Sequence, residues 1–237
     1  MARQELTKTI INRVAGELGL GSDVDPYSTQ NAAFEQMTAL LNSAGQELVE
    51  LGDWQVLRKK HSFTTTTATE YDLPTDFGYM INQTHWDETA DLPLGGPISG
   101  QAWAYLEGSG TNSTIYVQFK QEDNKIVLWP SPQTAGKTIS FYYISRCWAT
   151  SAGGDALDWT TASDDTVLLE PILVQKFLKV KYLEAKNLPS QAARQELVMM
   201  YNSRNGKDKG AQVLNAGSGG NETLLLGTAN IPVQGWG

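Results

Sequence analysis

The sequence predicts an α+β protein that combines a helical bundle from N- and C-terminal helices, an inserted antiparallel β region and an extended C-terminal arm. Apolar residues recur at helical spacing near both ends of the chain and alternate at strand spacing in the middle. The last segment follows neither pattern. We therefore predict a bundle over 1–52 and 164–210, a β region over 53–163, and an arm over 211–237.

Two helices are predicted before the β region. The first, over Glu5–Leu20, rests on four apolar residues spaced four apart: Leu6, Ile10, Val14 and Leu18. The second rests on a seam whose spacing alternates between three and four: Phe34, Met37, Leu41, Ala44, Leu48 and Leu51. Ser28 or Thr29 is the expected N-cap, and Gly52 the expected terminator. A seam of this kind must pack against another helix.

The middle of the chain predicts strands joined by short turns. Alternation marks one strand through Ile115, Val117 and Phe119, a second at KIVLWP, and a third at KTISFYYI. Because the turns between them are short, we expect an antiparallel meander of these three strands. The earlier threonine-rich stretch HSFTTTTATEY predicts an edge or half-exposed strand, since threonine is β-branched but polar.

Helical spacing returns after a polar loop. A third helix is predicted from one apolar stripe: Leu169, Ile172, Leu173, Phe177 and Val180. Its expected caps and first-turn acids are Ser163, Asp164 and Asp165. A fourth helix is predicted to begin near Pro189 or Ser190, with Ala193, Leu197 and Met200 on one face.

The arm after residue 210 has an unusual composition for a chain end. Glu222 is its only charged residue, its glycines oppose a helix, and it carries seven apolar residues and prolines that we single out: Leu224, Leu225, Leu226, Ile231, Pro232, Val233 and Trp236. Two interpretations stay open. The segment is a flexible end, or it is an extended arm that becomes ordered on a partner through main-chain pairing and side-chain pockets.

Composition limits the classes of function. The chain has 237 residues, of which 41% are apolar and 19% charged, and this apolar fraction is sufficient for a buried core. The net charge of −8 disfavours tight binding to nucleic acid. Cys147 is the only cysteine, so no internal disulfide can form. The N-terminus lacks an apolar signal region and no apolar run reaches the roughly 18 residues of a membrane span, so we expect a soluble protein without a secretion signal.

Catalytic and metal-binding patterns are weak. The two histidines, His61 and His85, lie in separate segments without metal-ligand spacing, and no phosphate-binding glycine motif is present. We expect no metal and no cofactor. The remaining candidates are carboxylates that could form an acid/base pair or could cap turns: Asp72 with Asp76, Asp87 with Glu88, and Asp155, Asp158, Asp164 and Asp165.

One motif carries a resemblance to a known family. It runs from YDLPTDF through a tryptophan-containing strand to PLGGPIS and a short helix, and its positions here are Tyr71, Leu73, Pro74, Asp76, Phe77, Trp86, Pro93, Leu94, Gly96, Pro97, Ile98, Ser99 and Trp103. This pattern resembles the head-to-tail adaptor, or connector, proteins of tailed bacteriophages, called tail tubular protein A in short-tailed phages. The resemblance extends over about Glu5–Tyr201. It implies that the motif residues are structural rather than catalytic.

The resemblance implies a structural virion protein. Members of the family form rings of twelve copies beneath the portal protein, extend the DNA channel, hold the tail nozzle or tube, and grip the portal with a C-terminal arm. Double-stranded DNA would pass through without specific binding. Two alternatives stay open: a carboxylate-dependent cell-wall glycosidase that uses Asp72 and Asp76, and a monomeric β-sandwich binding module.

Overall fold

A computed structural model describes residues 4–23, 25–109, 114, 116–131 and 133–208. The helices in these residues are α1 (Thr7–Glu17), α2 (Ala32–Leu51), α3 (Gly100–Gly108), α4 (Pro171–Ala185) and α5 (Gln191–Asp208), with a 3₁₀ turn at Gln55–Leu57. The strands are β1 (Glu5–Leu6), β2 (Arg58–Thr64), β3 (Glu70–Asp72), β4 (Phe77–Met80), β5 (Trp86–Asp87), β6 (Leu92–Pro93), β7 (Gln118–Glu122), β8 (Lys125–Trp129), β9 (Thr138–Ser145), β10 (Ala149–Thr150), β11 (Ala156–Leu157) and β12 (Thr166–Val167). Helices and antiparallel sheets together confirm the predicted α+β class.

The strands form three sheets. A four-stranded sheet has the order β1-β12-β10-β11, and a three-stranded sheet has the order β3-β8-β7. In the five-stranded sheet, β9 pairs with β2, β4 and β5, and β6 extends the sheet beyond β5. Strand β2 lies at an edge and alternates between exposed and half-buried residues. The strand predicted at HSFTTTTATEY is divided: its first four residues end β2, its last two belong to β3, and the threonine run between them is not a strand.

Helices from both ends of the chain pack together, as predicted. Helix α4 contacts α1, α2 and α5, and their apolar faces form one buried core. The four-stranded sheet joins the N-terminal segment to the segment that precedes α4. Strand β1 pairs with β12, and the Thr7 hydroxyl donates a hydrogen bond to the Ala162 carbonyl oxygen at 2.9 Å.

The seam of α2 is buried along most of its length. Phe34, Met37, Leu41, Ala44 and Leu48 are buried, whereas Leu51, in the last turn, is 53% exposed. The predicted N-cap is wrong: Asn31 caps the helix, and its side chain accepts a hydrogen bond from the Ala33 amide at 3.0 Å. The Ser28 hydroxyl instead donates to Asp25 in the preceding turn, and the Thr29 hydroxyl accepts from the Asn31 amide at 3.3 Å. Gly52 follows the helix, as predicted.

Helix α4 also begins differently from the prediction. Its N-cap is Glu170, whose side chain makes no capping hydrogen bond. Asp165 lies upstream of β12, and its carboxylate accepts hydrogen bonds from the Thr161 and Ala162 amides at 2.8 and 2.9 Å. Asp165, which was expected to cap α4, therefore stabilises the loop before the helix instead. Ile172, placed in the predicted stripe, is 36% exposed, because the buried face of α4 follows Val174, Leu178 and Tyr182.

The predicted three-strand meander is wrong at its last step. Strands β7 and β8 form a hairpin, but β9 leaves them for the five-stranded sheet. The free edge of β8 pairs instead with β3, which comes from the same threonine-rich stretch as β2. A second core lies between these two sheets and contains Leu73, Leu94, Phe119, Ile126, Leu128, Ile139, Phe141 and Tyr143. The domain boundaries at 52/53 and 163/164 stay a prediction.

Helix α2 packs directly against Trp148 at a glycine. A Cβ atom on Gly45 would lie 2.2 Å from Cε2 of the fully buried Trp148, so the indole ring packs directly on the helix backbone. We expect Gly45→Ala to lower the free energy of unfolding by about 1–3 kcal/mol or more, because the ring or the helix must shift.

Gly16→Ala is the matched control for this effect. Gly16 is also helical, and a Cβ atom there has no neighbour within 4 Å. Alanine at this position should change the free energy of unfolding by no more than about 1 kcal/mol, in the stabilising direction. Urea unfolding followed by circular dichroism measures both variants, and equal effects would contradict the close packing of Trp148.

Candidate functional site

The segment Tyr71–Phe77 carries the chain from one sheet to the other. Strand β3 ends at Asp72 in the three-stranded sheet, and β4 begins at Phe77 in the five-stranded sheet. Between them, the Phe77 amide donates a hydrogen bond to the Pro74 carbonyl oxygen at 3.0 Å, which closes a turn. The proline disfavours a helical conformation at Leu73 and so keeps the chain extended up to the turn. The motif is a crossing point between sheets.

Asp76 is the polar centre of this crossing. Its carboxylate accepts hydrogen bonds from Lys59 Nζ at 2.5 Å, Ser145 Oγ at 2.8 Å and Tyr143 Oη at 2.9 Å. Its carbonyl oxygen accepts a further bond from the Arg146 amide at 2.9 Å. The sequence predicts that Asp76 bonds nearby amides, which is wrong, because the turn aims the side chain at β2 and β9 instead.

The environment of Asp76 favours its charged form. Burial is the largest influence and acts to raise the pKa, but the hydrogen bonds from Lys59, Ser145 and Tyr143 together outweigh it and leave the pKa of this carboxyl lowered. A carboxylate with a lowered pKa is a poor general acid at neutral pH. Asp72 is exposed at the end of β3, so the two carboxylates have different environments and do not form a shared acid/base site.

Aromatic contacts fix both sides of the crossing. The Tyr71 ring stacks on Phe63 with 4.6 Å between ring centroids, and its hydroxyl donates to the Ala68 carbonyl oxygen at 3.0 Å. The Phe77 ring lies 5.8 Å from that of Tyr143. Leu73 is buried in the core between the two sheets. These contacts anchor the segment to β2 and β9.

The second part of the motif returns the chain to the three-stranded sheet. After β6, Gly95 donates to the Val117 carbonyl oxygen at 2.9 Å and accepts from the Phe119 amide at 3.0 Å. Gly96 has φ +148°, and a Cβ atom there would lie 2.6 Å from the Phe119 carbonyl oxygen. Only glycine allows this approach. The Gly96–Pro97 peptide bond is cis.

The two motif tryptophans have different environments. Ser99 caps α3 by accepting from the Ala102 amide at 3.2 Å, and this places Trp103 in a buried edge-to-face contact with Trp129. Lys120 Nζ lies 4.8 Å above the Trp103 ring. Trp86, in β5, is 40% exposed and hydrogen-bonds Asp91 through Nε1 at 3.3 Å. Trp103 therefore anchors α3 to the sheet, whereas Trp86 presents its ring to solvent.

The other candidate carboxylates are held in separate local contacts. Asp87 is buried and caps a turn at the Thr89 and Ala90 amides, at 3.0 and 2.9 Å. Glu88 accepts from Lys60 Nζ at 2.6 Å and from Ser140 Oγ at 2.7 Å. Four further acids lie in the loop between β10 and α4: Asp155 bonds Ser151, Asp158 pairs with Arg146, Asp165 caps the loop and Asp164 is exposed. The amide contacts of Asp87 and Asp165 match the turn interpretation, whereas Glu88 and Asp158 pair with basic side chains.

The histidines and the cysteine have packing contacts. His61 lies 5.3 Å from the Phe141 ring, and His85 lies 4.5 Å from Phe119, where burial lowers its pKa. Cys147 is buried, and burial raises the pKa of its thiol. Among the described residues, no group of three or more His, Cys, Asp and Glu side chains could hold a metal ion.

Sequence reasoning missed the residues that hold Asp76 in place. Lys59, Tyr143 and Ser145 lie 17, 67 and 69 positions from Asp76 in the chain. The single available signal was strand alternation, which places Tyr143 on an inward face. A second missed contact joins α2 to the loop before α4, where the buried Asn42 side chain accepts from the Thr160 amide at 2.7 Å.

Most basic side chains in the described residues are paired with carboxylates. The basic partners in these ion pairs are Arg13, Lys59, Lys60, Lys120, Lys125, Lys137, Arg146, Lys176, Lys179, Lys181, Arg194 and Arg204. Several of these pairs join helices, including Lys181 with Glu47 and Lys179 with Glu17. A basic group engaged in this way has less capacity to neutralise a phosphate.

Two further sequence predictions concern the C-terminal arm and membrane spans. The arm residues Leu224, Leu225, Leu226, Ile231, Pro232, Val233 and Trp236 lie outside the described residues. Within the described part of the chain, none of the helices has the length and apolarity needed to traverse a lipid bilayer.

The motif side chains pack, cap turns and carry the chain between sheets, which are the contributions expected of a structural protein. The chain matches the SU10 adaptor protein family over residues 7–218 and belongs to that family. It is therefore a structural head-to-tail adaptor of a bacteriophage and a component of the virion. No curated protein matches the chain.

The hydrogen-bonded Asp76 gives a prediction about stability. We expect Asp76→Asn to lower the free energy of unfolding at pH 7 by about 1–3 kcal/mol, since the charge-assisted bonds from Lys59, Tyr143 and Ser145 weaken together. Because the folded-state pKa is lowered, this contribution is present above the unfolded value near 3.9 and is lost as the pH falls through the folded pKa.

Urea unfolding between pH 7 and pH 3 measures this effect. The difference between wild type and Asp76→Asn should shrink below about pH 5. Asp72→Asn is the matched control, an exposed carboxylate four positions away, and should change stability by less than about 0.5 kcal/mol at any pH. A constant difference for Asp76→Asn across the pH range would contradict the argument.

Proposed function

We propose that the chain forms a closed ring beneath the portal protein, extends the DNA channel and provides the surface to which the tail nozzle or tail tube attaches. The observation that carries this proposal is the family match over residues 7–218, which includes both cores and the motif from Tyr71 to Trp103. Relationship to the tail tubular protein A group of short-tailed phages, with twelve copies in the ring, is part of the proposal.

A ring of identical subunits requires a heterologous interface that closes by rotation, so two different flanks of each subunit must be complementary. Large apolar side chains exposed on separate elements provide surface for such contacts. Tyr105 on α3 is 75% exposed, Trp159 in the loop before α4 is 48% exposed, and Met199 on α5 is 72% exposed. Aromatic residues and methionine are enriched in protein interfaces, which supports assembly.

The charge distribution supports passage of DNA without binding. The chain carries a net charge of −8, and the ion pairs engage most of the described lysines and arginines. A channel wall without free basic groups repels the phosphate backbone and lets the duplex slide. Closure of the ring below the portal would then help to retain packaged DNA by narrowing its exit.

The C-terminal arm is the proposed portal-binding element. Its apolar residues Leu224–Leu226, Ile231, Val233 and Trp236 are surrounded by glycines and a single charged residue, a composition suited to main-chain pairing and apolar pockets. They also lie beyond residue 218, where the family match ends. Support for this part of the proposal is therefore the composition of the segment.

Portal binding gives a direct test. A chain that ends at Ala211 should retain the described fold, since α5 ends at Asp208, but should no longer join portal rings or DNA-filled heads. In the full-length chain, replacing Leu224, Leu225 and Leu226 together by serine should weaken portal binding by at least about tenfold, because the apolar anchors are lost.

Electron microscopy of the protein mixed with its portal measures the result as stacked rings, and sedimentation gives the affinity. Asn221→Ser is the matched control, a polar change next to the same segment, and should leave binding unchanged. Stacked rings that form equally well with the triple serine variant would contradict portal binding by the arm. Failure of the wild-type chain to form stacked rings would contradict the ring proposal itself.

A further inference from the structure

An apolar groove lies between the C-terminal part of α2, α4 and α5. The residues that line it are Leu48, Leu51, Phe177, Leu197, Val198 and Tyr201. Leu48 is buried and forms the floor, whereas Leu51 and Val198 are 53% and 57% exposed at the sides. The volume is about 150 Å³, the size of a cavity that holds a benzene ring. Exposure of several large aliphatic groups at one concave site marks a binding surface.

The groove offers no free polar group to an occupant among its lining residues. The Tyr201 hydroxyl donates a hydrogen bond to the Leu51 carbonyl oxygen, and its ring lies edge-to-face with Trp54 at 6.0 Å. At the border, Lys181 Nζ lies 5.1 Å from the Phe177 ring and is paired with Glu47 at 2.6 Å. The surface therefore suits an uncharged aliphatic segment rather than a charged peptide.

We propose that the chain's own C-terminal segment, through Leu224–Leu226, packs into this groove before assembly. Three consecutive leucines, with Glu222 the one charged residue between 211 and 237, match the apolar and uncharged lining. The groove and its occupant also belong to one covalent chain. Helix α5 supplies three of the lining residues, and the segment continues from the end of that helix.

The distances allow this packing. Tyr201 precedes the helix end at Asp208 by seven residues, about 10 Å along the axis. Residues 209–223, which are rich in glycine, connect the helix end to Leu224. A random-coil chain of fifteen residues with this composition would have a root-mean-square span of about 21 Å. The leucines thus reach the groove at the high effective concentration that a short tether gives, with no second molecule required.

Docking in the groove would cover the apolar arm of a free subunit. In the free chain, the leucines and the exposed sides of the groove cover each other and are removed from water. This inference concerns the free chain and stands apart from the proposal that the arm binds the portal. If the arm does bind the portal, the groove competes with it for the same leucines.

Disulfide trapping in the full-length chain tests the contact. In the double variant Val198→Cys/Leu225→Cys, a groove residue faces the middle leucine, and the native Cys147 is buried and remote from oxidant. Under mild oxidation of dilute protein, an intrachain disulfide should form at least about tenfold faster than in Ser203→Cys/Leu225→Cys. Ser203 is an exposed α5 residue on a different face, and it is closer to residue 225 along the chain than Val198 is, so the tether alone would favour the control.

Gel mobility and mass spectrometry of the linked peptide measure the rates, and unfolding of the reduced variants confirms that each chain is folded. Equal rates in the two double variants would overturn the proposal, because the tether alone would then account for cross-linking. A disulfide that forms only between chains would overturn it too and would assign the groove to a second copy. Portal binding is measured independently on the reduced protein, so the two proposals fail separately.

Discussion

Strand β9 contributes to both cores, and the remaining strands and helices are arranged around it. Ile139, Phe141 and Tyr143 face the core between the sheets, while Ile144 is buried in the helical core. Because neighbouring residues of a strand point to opposite sides, one strand buried on both faces must hold the two layers in register. Asp76 accepts hydrogen bonds from Tyr143 and Ser145 at the end of this strand, so the segment Tyr71–Phe77 is held where the two cores meet.

The sequence predicted those features that depend on local spacing. The seam of α2 and the helical grouping of the chain ends follow from periodicity, which needs no knowledge of partners. The meander failed because the pairing of β9 with β2 is decided by burial of both faces of β9, a nonlocal property. The cap of α2 failed because several polar residues precede the helix, and the start of the first turn selects Asn31 among them.

The motif shows the same division between local and nonlocal information. Its turn at Pro74–Phe77 was predictable from proline and aspartate, but the three partners of the Asp76 carboxylate come from distant strands. A carboxylate with three donors and a lowered pKa contributes its charge to the fold. Asp72, by contrast, is exposed at the end of β3. Spacing in the sequence cannot distinguish these two environments, so it could not decide whether Asp72 and Asp76 form an acid/base pair.

An adaptor that joins two assemblies around a DNA channel must meet two physical demands that conflict. Contacts with neighbouring proteins need exposed apolar surface, whereas a free subunit with such surface self-associates. The wall of the channel adds a third demand, since basic groups there would hold the DNA. In the proposed ring, ion pairing of most of the described basic side chains would meet the demand on the channel. The proposed packing of Leu224–Leu226 into the groove beside α5 would resolve the other conflict, because the two apolar surfaces would cover each other until a partner competes.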